Sequence, residues 1–301
     1  MPKHRSDRER SEILNRNAQR LVHRGGEREL HWYRRAAQAD PSWAAPWFNL
    51  GLVHKYRGEW AESLQANRAA LERQGDHAGA CWNLGIAATA LSDWSCAREA
   101  WRKYGVGLPE GEGPIEAGLG AMVLRIDLDD SGEAVWAERI DPARARILNV
   151  PLPGSGHRYG DIVLHDGAVQ GTRKVEGREY PVFNALGLWQ ASAYATYEAL
   201  IETPAPETLA ALVERVREGQ GESKGQVEDW THSVRYLCKA CAESDHDHGD
   251  SAKPIPHTHF QLGIAATDEA WLRGVLDDWL GAHPQARLLE FSRAFPADVT
   301  P

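Results

Sequence analysis

Trp47-Phe48-Asn49-Leu50-Gly51 returns as Cys81-Trp82-Asn83-Leu84-Gly85, and the 34-residue period between Gly51 and Gly85 decides how the first third of the chain reads. The flanking residues keep the register. Gly58-Glu59-Trp60 aligns with Ser92-Asp93-Trp94, Leu64 aligns with Arg98, and the small position of the second helix holds Ser63, then Ala97. One period earlier, Gly25-Gly26 stands at the turn, Tyr33 at the aromatic position, Ala36-Ala37 at the small pair and Pro41 at the close. Three units follow, roughly 10–43, 44–77 and 78–111. In the first, Ile13, Leu14, Ala18, Leu21 and Val22 recur at steps of three and four, the spacing of an amphipathic helix. One helical pair cannot bury its own apolar face, whereas stacked pairs can, which is why such units come in arrays.

The Trp-x-x-Leu-Gly pattern, the small residues and the period resemble the tetratricopeptide repeat family over about residues 10–111. The departures are Asn17 at the glycine position of the first unit, Gly75 at the closing proline of the second, and Cys81 at the tryptophan position of the third. The resemblance implies a solenoid whose inner-face positions fall on Phe48, Leu52, Lys55 and Tyr56, then on Trp82, Ile86 and Thr89. Relatives that clamp a carboxylate carry Lys and Asn on this face. Here Phe48 and Trp82 replace the Lys, and Leu52 and Ile86 replace the Asn, which argues against that clamp. The implied use is an apolar groove for a helix or an extended peptide. The competing expectation is that the groove packs against the chain's own C-terminal part.

Length and composition bound the rest. A chain of 301 residues calls for two or three domains. The net charge of -9 argues against nucleic acid as a partner, because phosphate binding needs a basic face. Only the first ten residues are basic, with Lys3, Arg5, Arg8 and Arg10, and they read as a solvated tail. No run approaches the roughly 20 apolar residues of a membrane span, and the N-terminus lacks the apolar core of a secretory signal. Four cysteines in so long a chain do not form a disulfide framework. The expected location is the cytoplasm. An excess of Arg over Lys, with abundant Ala and Gly, points to a bacterial source.

After the Gly- and Pro-rich stretch 108–120, read as a linker, the period changes to that of strands. Segments 121–127, 133–140, 146–150 and 161–165 are β-rich and separated by turn residues, with a further strand pair around Glu176-Gly177. A small β-barrel-like domain over 121–190 is expected. From 194 to 296 the order strand–helix–strand occurs twice: strands 195–203 and 230–237 around helix 206–219, then strands 259–266 and 286–295 around helix 268–281. This is the βαββαβ order of a ferredoxin-like sandwich. The expected fold class is therefore multi-domain α+β: an α-helical tetratricopeptide-like solenoid, a small barrel and a ferredoxin-like domain.

The connector 238–259 carries the candidate chemistry. Cys238 and Cys241 form a Cys-x-x-Cys pair, and His246, His248, His257 and His259 follow as two His-x-His pairs. Two thiolates and two imidazoles make a tetrahedral Zn2+ site, and such a staple orders a loop too polar to order itself. The alternative is a flexible acidic, His-rich loop. Gly221-Glu222-Ser223-Lys224-Gly225 matches the nucleophile-elbow letters, but a helix precedes it and a strand follows, the reverse of what the elbow needs. Gly154-Ser155-Gly156-His157 reads as a turn. The leading expectation is a non-enzymatic protein-binding adaptor, with an immunity or regulatory setting and a structural zinc. The alternative is a metal-dependent enzyme using the Cys/His loop, with the repeats for docking. A third, nucleic-acid-associated reading rests only on Arg139, Arg144, Arg146 and Arg158.

Overall fold

Each repeat folds as a helix pair, because a short polar or Gly-containing turn ends its first helix and lets the second fold back on it. The computed structural model describes residues 6–21, 26–126, 133–175, 177–219, 223–231 and 258–295. Contacts divide the chain into two compact units, one of residues 1–118 with 140–143, the other of 119–139 with 144–301.

In the first unit α1 (Asp7–Gln19) packs on α2 (Glu27–Ala39), α3 (Ala44–Tyr56) on α4 (Trp60–Arg73), and α5 (Ala78–Ala90) on α6 (Trp94–Tyr104). Ser6 and Glu9 close a capping box at the start of α1, and the Asp93 carboxylate accepts from the Cys96 N–H at the start of α6. The two repeated glycines are where the paired helices meet. A Cβ on Gly51 would lie 2.4 Å from the Asn67 amide, and one on Gly85 would lie 2.7 Å from the Trp101 indole. Ser63 Oγ donates to the Gly51 carbonyl at 2.8 Å, so the small residue on the second helix also fastens the pair. Arginines brace the helices within a pair and between pairs. Arg73 lies 4.4 Å over the Trp47 ring and Arg8 Nε donates to Asp40 at 2.6 Å within pairs, while Arg8 lies 5.0 Å over the Trp43 ring of the next pair. α5 is apolar around most of its circumference, and nine of its residues are buried.

The stretch expected to be a free linker is tied down. The Val106 N–H donates to Trp101, Arg98 Nη1 donates to the Gly113 carbonyl at 2.6 Å, and Ile115 has 0% exposure. The Ala117 and Gly118 N–H groups both donate to the Ile140 carbonyl. A buried apolar anchor and a buried guanidinium order this Gly-rich segment without any regular secondary structure.

The second unit opens with β1 (Gly120–Arg125), β2 (Ala134–Arg139), β3 (Arg144–Ile147), β4 (Ile162–His165), β5 (Gly171–Val175) and β6 (Arg178–Gln190). Antiparallel pairing runs β1-β2-β3-β4-β6, and β1 then pairs with β6 in parallel, closing a five-stranded barrel. An up-and-down set of five strands leaves its first and last parallel, so closure requires that pairing. β5 continues along the β6 edge already used by β4. Apolar residues from alanine to phenylalanine fill the interior, among them Met122, Leu124, Val135, Ala137, Ala145, Ile147, Val163 and Phe183.

The remainder is a four-stranded antiparallel sheet of β7 (Ala195–Glu202), β8 (Gly225–Asp229), β9 (His259–Ala266) and β10 (Arg287–Phe295), in the order β10-β7-β9-β8. α7 (Leu209–Glu218) and α8 (Glu269–Ala282) cover the face that carries Tyr197, Ala199, Ile201, Leu262 and Ile264. β8 occupies Gly225–Asp229, and of the strand expected at 230–237 only Trp230 and Thr231 are described, as a turn. The Trp230 N–H donates to the Gln261 carbonyl of β9, its ring covers Gly263, where a Cβ would collide with it, and its indole N–H donates to the Val150 carbonyl. Residues 232–237 lie outside the described residues.

Candidate functional site

Equivalent asparagines at one-period spacing, Asn15, Asn49 and Asn83, lie on the first helices of the three pairs. Asn49 Nδ2 donates to Asn15 Oδ1 at 2.9 Å, and Lys55 Nζ donates to Asn83 Oδ1 at 3.2 Å. Beside Asn49, between α2 and α3, the first unit opens a cavity of about 370 Å3. Tyr33, Leu52, Val53 and Tyr56 make its walls, and Glu29, Asn49 and Arg57 supply its polar groups. Tyr33 is buried at 3% exposure, whereas Tyr56 is 56% exposed and stands at the mouth. Burial, with the nearby Glu29 charge adding to it, pushes the Tyr33 hydroxyl up to about 12, so it stays protonated.

The turn after α3 is an ion network. His54 Nδ1 donates to Glu59 Oε2 at 2.5 Å, Arg57 Nε donates to Glu59 Oε1, and Arg57 Nη2 donates to Glu27, both at 2.8 Å. Burial works to raise the Glu59 carboxyl. The hydrogen bonds from His54 and Arg57 and their charges outweigh it, leaving Glu59 below its ordinary value.

The seven inner-face residues named from the repeat pattern are placed unevenly. Leu52 and Tyr56 line the cavity. Phe48 meets His77 at 4.6 Å with the rings tilted, and Trp82 meets Trp101 at 4.9 Å and Tyr104 at 4.6 Å. Lys55 is buried at 2% exposure with its Nζ 4.4 Å above the Tyr56 ring. Ile86 and Thr89 have 0% exposure and present no surface. Glu29, Tyr33, Asn49 and Val53 escaped sequence reasoning. Asn49 was legible, since it repeats inside the pentapeptide that defines the period; Glu29 and Tyr33 sit on a second helix and reach the cavity only through packing.

Of the proposed zinc ligands, Cys238, Cys241, His246, His248 and His257 lie outside the described residues. His259 starts β9 on the surface, with Thr258 Oγ1 3.0 Å from its Nδ1 and Glu202 3.9 Å from its Nε2. Among the described residues, no group of three or more His, Cys, Asp or Glu is placed to hold a metal. A second cavity, of about 340 Å3, is lined by Cys81 and Cys96 with Arg68, Glu72, Glu99 and Lys103. Burial pushes both thiols upward, which disfavours the nucleophilic thiolate. Cys81 is buried and Cys96 partly so.

The arginines that supported a nucleic-acid reading are largely spent on packing. Arg144 (2% exposed) lies over Trp189, Arg158 (1% exposed) over Phe295, and Arg139 over Phe183; only Arg146 is exposed. Ser155 donates to Leu152 and accepts from the His157 N–H, so its hydroxyl serves a turn. Among the described residues, no helix is long and apolar enough to cross a membrane.

Helix pairs at a 34-residue period, closed on repeated glycines, make the helical part a tetratricopeptide-type array. Among solved structures, the chain is similar to the first such domain of Spaghetti (RPAP3) bound to the HSP90 peptide SRMEEVD. That match has 16% identity, covers 33% of this chain and 79% of that one, and has a TM-score of 0.32. It is likewise similar to the second such domain of Spaghetti with the same peptide, at 18% identity, covering 33% and 92%, with a TM-score of 0.31. No protein-family model matches the chain, and no curated protein does.

Proposed function

We propose that this chain is a non-enzymatic interaction protein whose helical array receives an extended peptide of another protein in the α2–α3 cavity. One observation carries the reading: an apolar cavity with Tyr56 more than half exposed at its mouth and a side-chain amide, Asn49, at its side. Such a site offers pockets for side chains and an amide for the peptide backbone, the division of labour in strand-like peptide recognition. The burial of Ile86 and Thr89 confines the usable surface to the first two pairs and the Trp82 region. Affinity capture from the source cell tests this. A partner held by the wild type and by Leu289→Ala, on the exposed surface of β10, but lost in Leu52→Arg and Tyr56→Ala, supports the site. A partner retained by both cavity variants removes it.

Three further readings belong to this proposal. The four-stranded sheet, with its split strand–helix–strand halves, is a ferredoxin-like domain over 194–296, beside a barrel domain over 121–190 and the array over 10–111. The segment 238–259 binds a structural Zn2+ through Cys238, Cys241 and two of its histidines, and it stabilises that segment without chemistry. About one zinc per chain, lost in a Cys238→Ser/Cys241→Ser double variant, is the expected result, and a metal-free protein refutes it. The setting is a bacterial cytoplasm, in an adaptor role of the immunity or regulatory kind.

A further inference from the structure

The outer face of the barrel carries a layered cluster that the peptide-binding reading does not use. Val123 and Val182 stand side by side on β1 and β6 and are buried, although they alternate with the residues that fill the barrel interior. Trp136 and Tyr180 roof them, edge to face, with ring centroids 4.8 Å apart. Arg173 of β5 lies over the Trp136 ring and Arg178 of β6 over the Tyr180 ring, each 5.5 Å from the centroid. Arg173 is directly opposite Tyr180, and Arg178 precedes Tyr180 on the same strand face, so both cations share one face of the β5–β6 hairpin.

A guanidinium stacked on a ring keeps its in-plane N–H groups for a carboxylate. Among the described residues neither the Arg173 nor the Arg178 side chain forms a hydrogen bond or an ion pair. Neighbouring charges are matched: Lys174 stands opposite Glu179 on the other face of the hairpin, and Arg146 opposite Glu138 on β3 and β2. Glu176, at the hairpin turn, lies outside the described residues. β5 is also an edge. It pairs with β6 alone, which leaves a row of backbone N–H and C=O groups along its other side, and Thr172 and Lys174 are exposed there.

We propose that β5 receives an extended acidic segment of a partner protein as an added strand. Asp or Glu side chains two positions apart on that segment face the barrel's outer side and are held by the Arg173 and Arg178 guanidiniums. The backbone ladder gives the affinity and the two arginines select the sequence. An oligonucleotide suits this surface less. The aromatic faces that would stack bases are taken by the arginines and by each other, and a chain of net charge -9 opposes a polyphosphate more than a segment with a few carboxylates.

The test is selection of a displayed, randomised decapeptide library on the full chain. Selected clones are then sorted on Arg173→Gln/Arg178→Gln, on Arg173→Lys/Arg178→Lys and on Leu52→Arg, each checked for wild-type circular dichroism. The expected clones carry Asp or Glu at alternate positions. Their synthetic peptides lose about tenfold or more in affinity on the glutamine pair, as removal of charge-assisted hydrogen bonds does. They bind Leu52→Arg as they bind the wild type, because that substitution disables only the α2–α3 cavity. The lysine pair, which keeps the charge without the fork, recovers part of the loss. Bound peptide slows amide hydrogen exchange at residues 171–175. Acidic clones that bind the glutamine pair as well as the wild type, or that protect another segment instead, overturn the proposal. So does the absence of acidic clones, which would leave the two arginines as guards against edge-to-edge association. Short single-stranded RNA that binds through the same arginines, where no acidic peptide does, overturns it in favour of a nucleic acid.

Discussion

Replacing Gly85 by Ala puts the repeat glycine to a quantitative test, because the same substitution at Gly274 should have the opposite sign. Both glycines lie inside helices, Gly85 in α5 and Gly274 in α8, where alanine is favoured by up to ~1 kcal/mol. At Gly274 a Cβ meets nothing within 4 Å, so that gain is realised in full. At Gly85 the added carbon lands 2.7 Å from three atoms of the Trp101 indole, which is wholly buried and bracketed by Trp82 at 4.9 Å. A fused ring so held cannot turn aside, and α6 must move with it. Overpacking of this kind costs ~1–3 kcal/mol. Set against a helix gain of up to ~1 kcal/mol, Gly85→Ala loses a net ~0–2 kcal/mol. With a urea dependence of ~2 kcal/mol per molar, the midpoint falls by up to roughly 1 M. Hydrogen exchange along a urea series reads α5–α6 and α8 in one sample. If Gly85→Ala leaves α5–α6 as stable as the wild type, or firmer as Gly274→Ala should leave α8, the close-approach reasoning is wrong.

Acid should loosen α1 from the turn that follows α2. The Asp40 carboxyl is held below its ordinary 3.8 chiefly by hydrogen bonds from Ser42 and Arg8. A depressed folded value means its contribution is present above the ordinary value and fades as pH falls through the folded one. Exchange protection of α1 should therefore drop as pH falls below about 4, and Asp40→Asn should remove both the protection and its pH dependence; a pH-independent α1 sinks the assignment. Arg98→Ala should free the segment after α6. Cleavage by a Glu-specific protease at Glu110, Glu112 and Glu116 should accelerate severalfold as the charged hydrogen bonds to Gly113 and Pro114 are lost, and an unchanged cleavage rate would show that Ile115 alone holds it.

The helical repeat was legible because its signals are local and periodic. A glycine, a tryptophan and small residues at fixed offsets specify which helix faces touch, and the helices fall where that register puts them. Alternation in short β-rich runs likewise located the barrel strands to within a few residues. A barrel was expected from the number and spacing of those strands, but which two close it was not legible, since the parallel β1–β6 contact joins Val123 to Val182 and leaves no mark in either segment. β8 at Gly225–Asp229 was not legible for a related reason: its run is short and largely polar, and it enters the sheet only by pairing with β9. The buried Arg98 and Ile115 similarly turned a Gly-rich stretch, locally indistinguishable from a linker, into an ordered strap.

The candidate site divides the same way. Leu52 and Tyr56 follow from helical period and the resemblance, and Asn49 repeats in the defining pentapeptide. Glu29 and Tyr33 join them only because α2 packs against α3, and Ile86 and Thr89 leave the accessible surface only because α5 is enclosed. By itself the sequence determined what depends on neighbours along the chain: the period, the helix pairs, the strand segments and the net negative charge. The tertiary structure alone decided what depends on residues meeting across the chain: which strands close the barrel, the cavity lining and which inner-face side chains still reach solvent. Such contacts are set by packing of surfaces, and no local stretch of sequence records them.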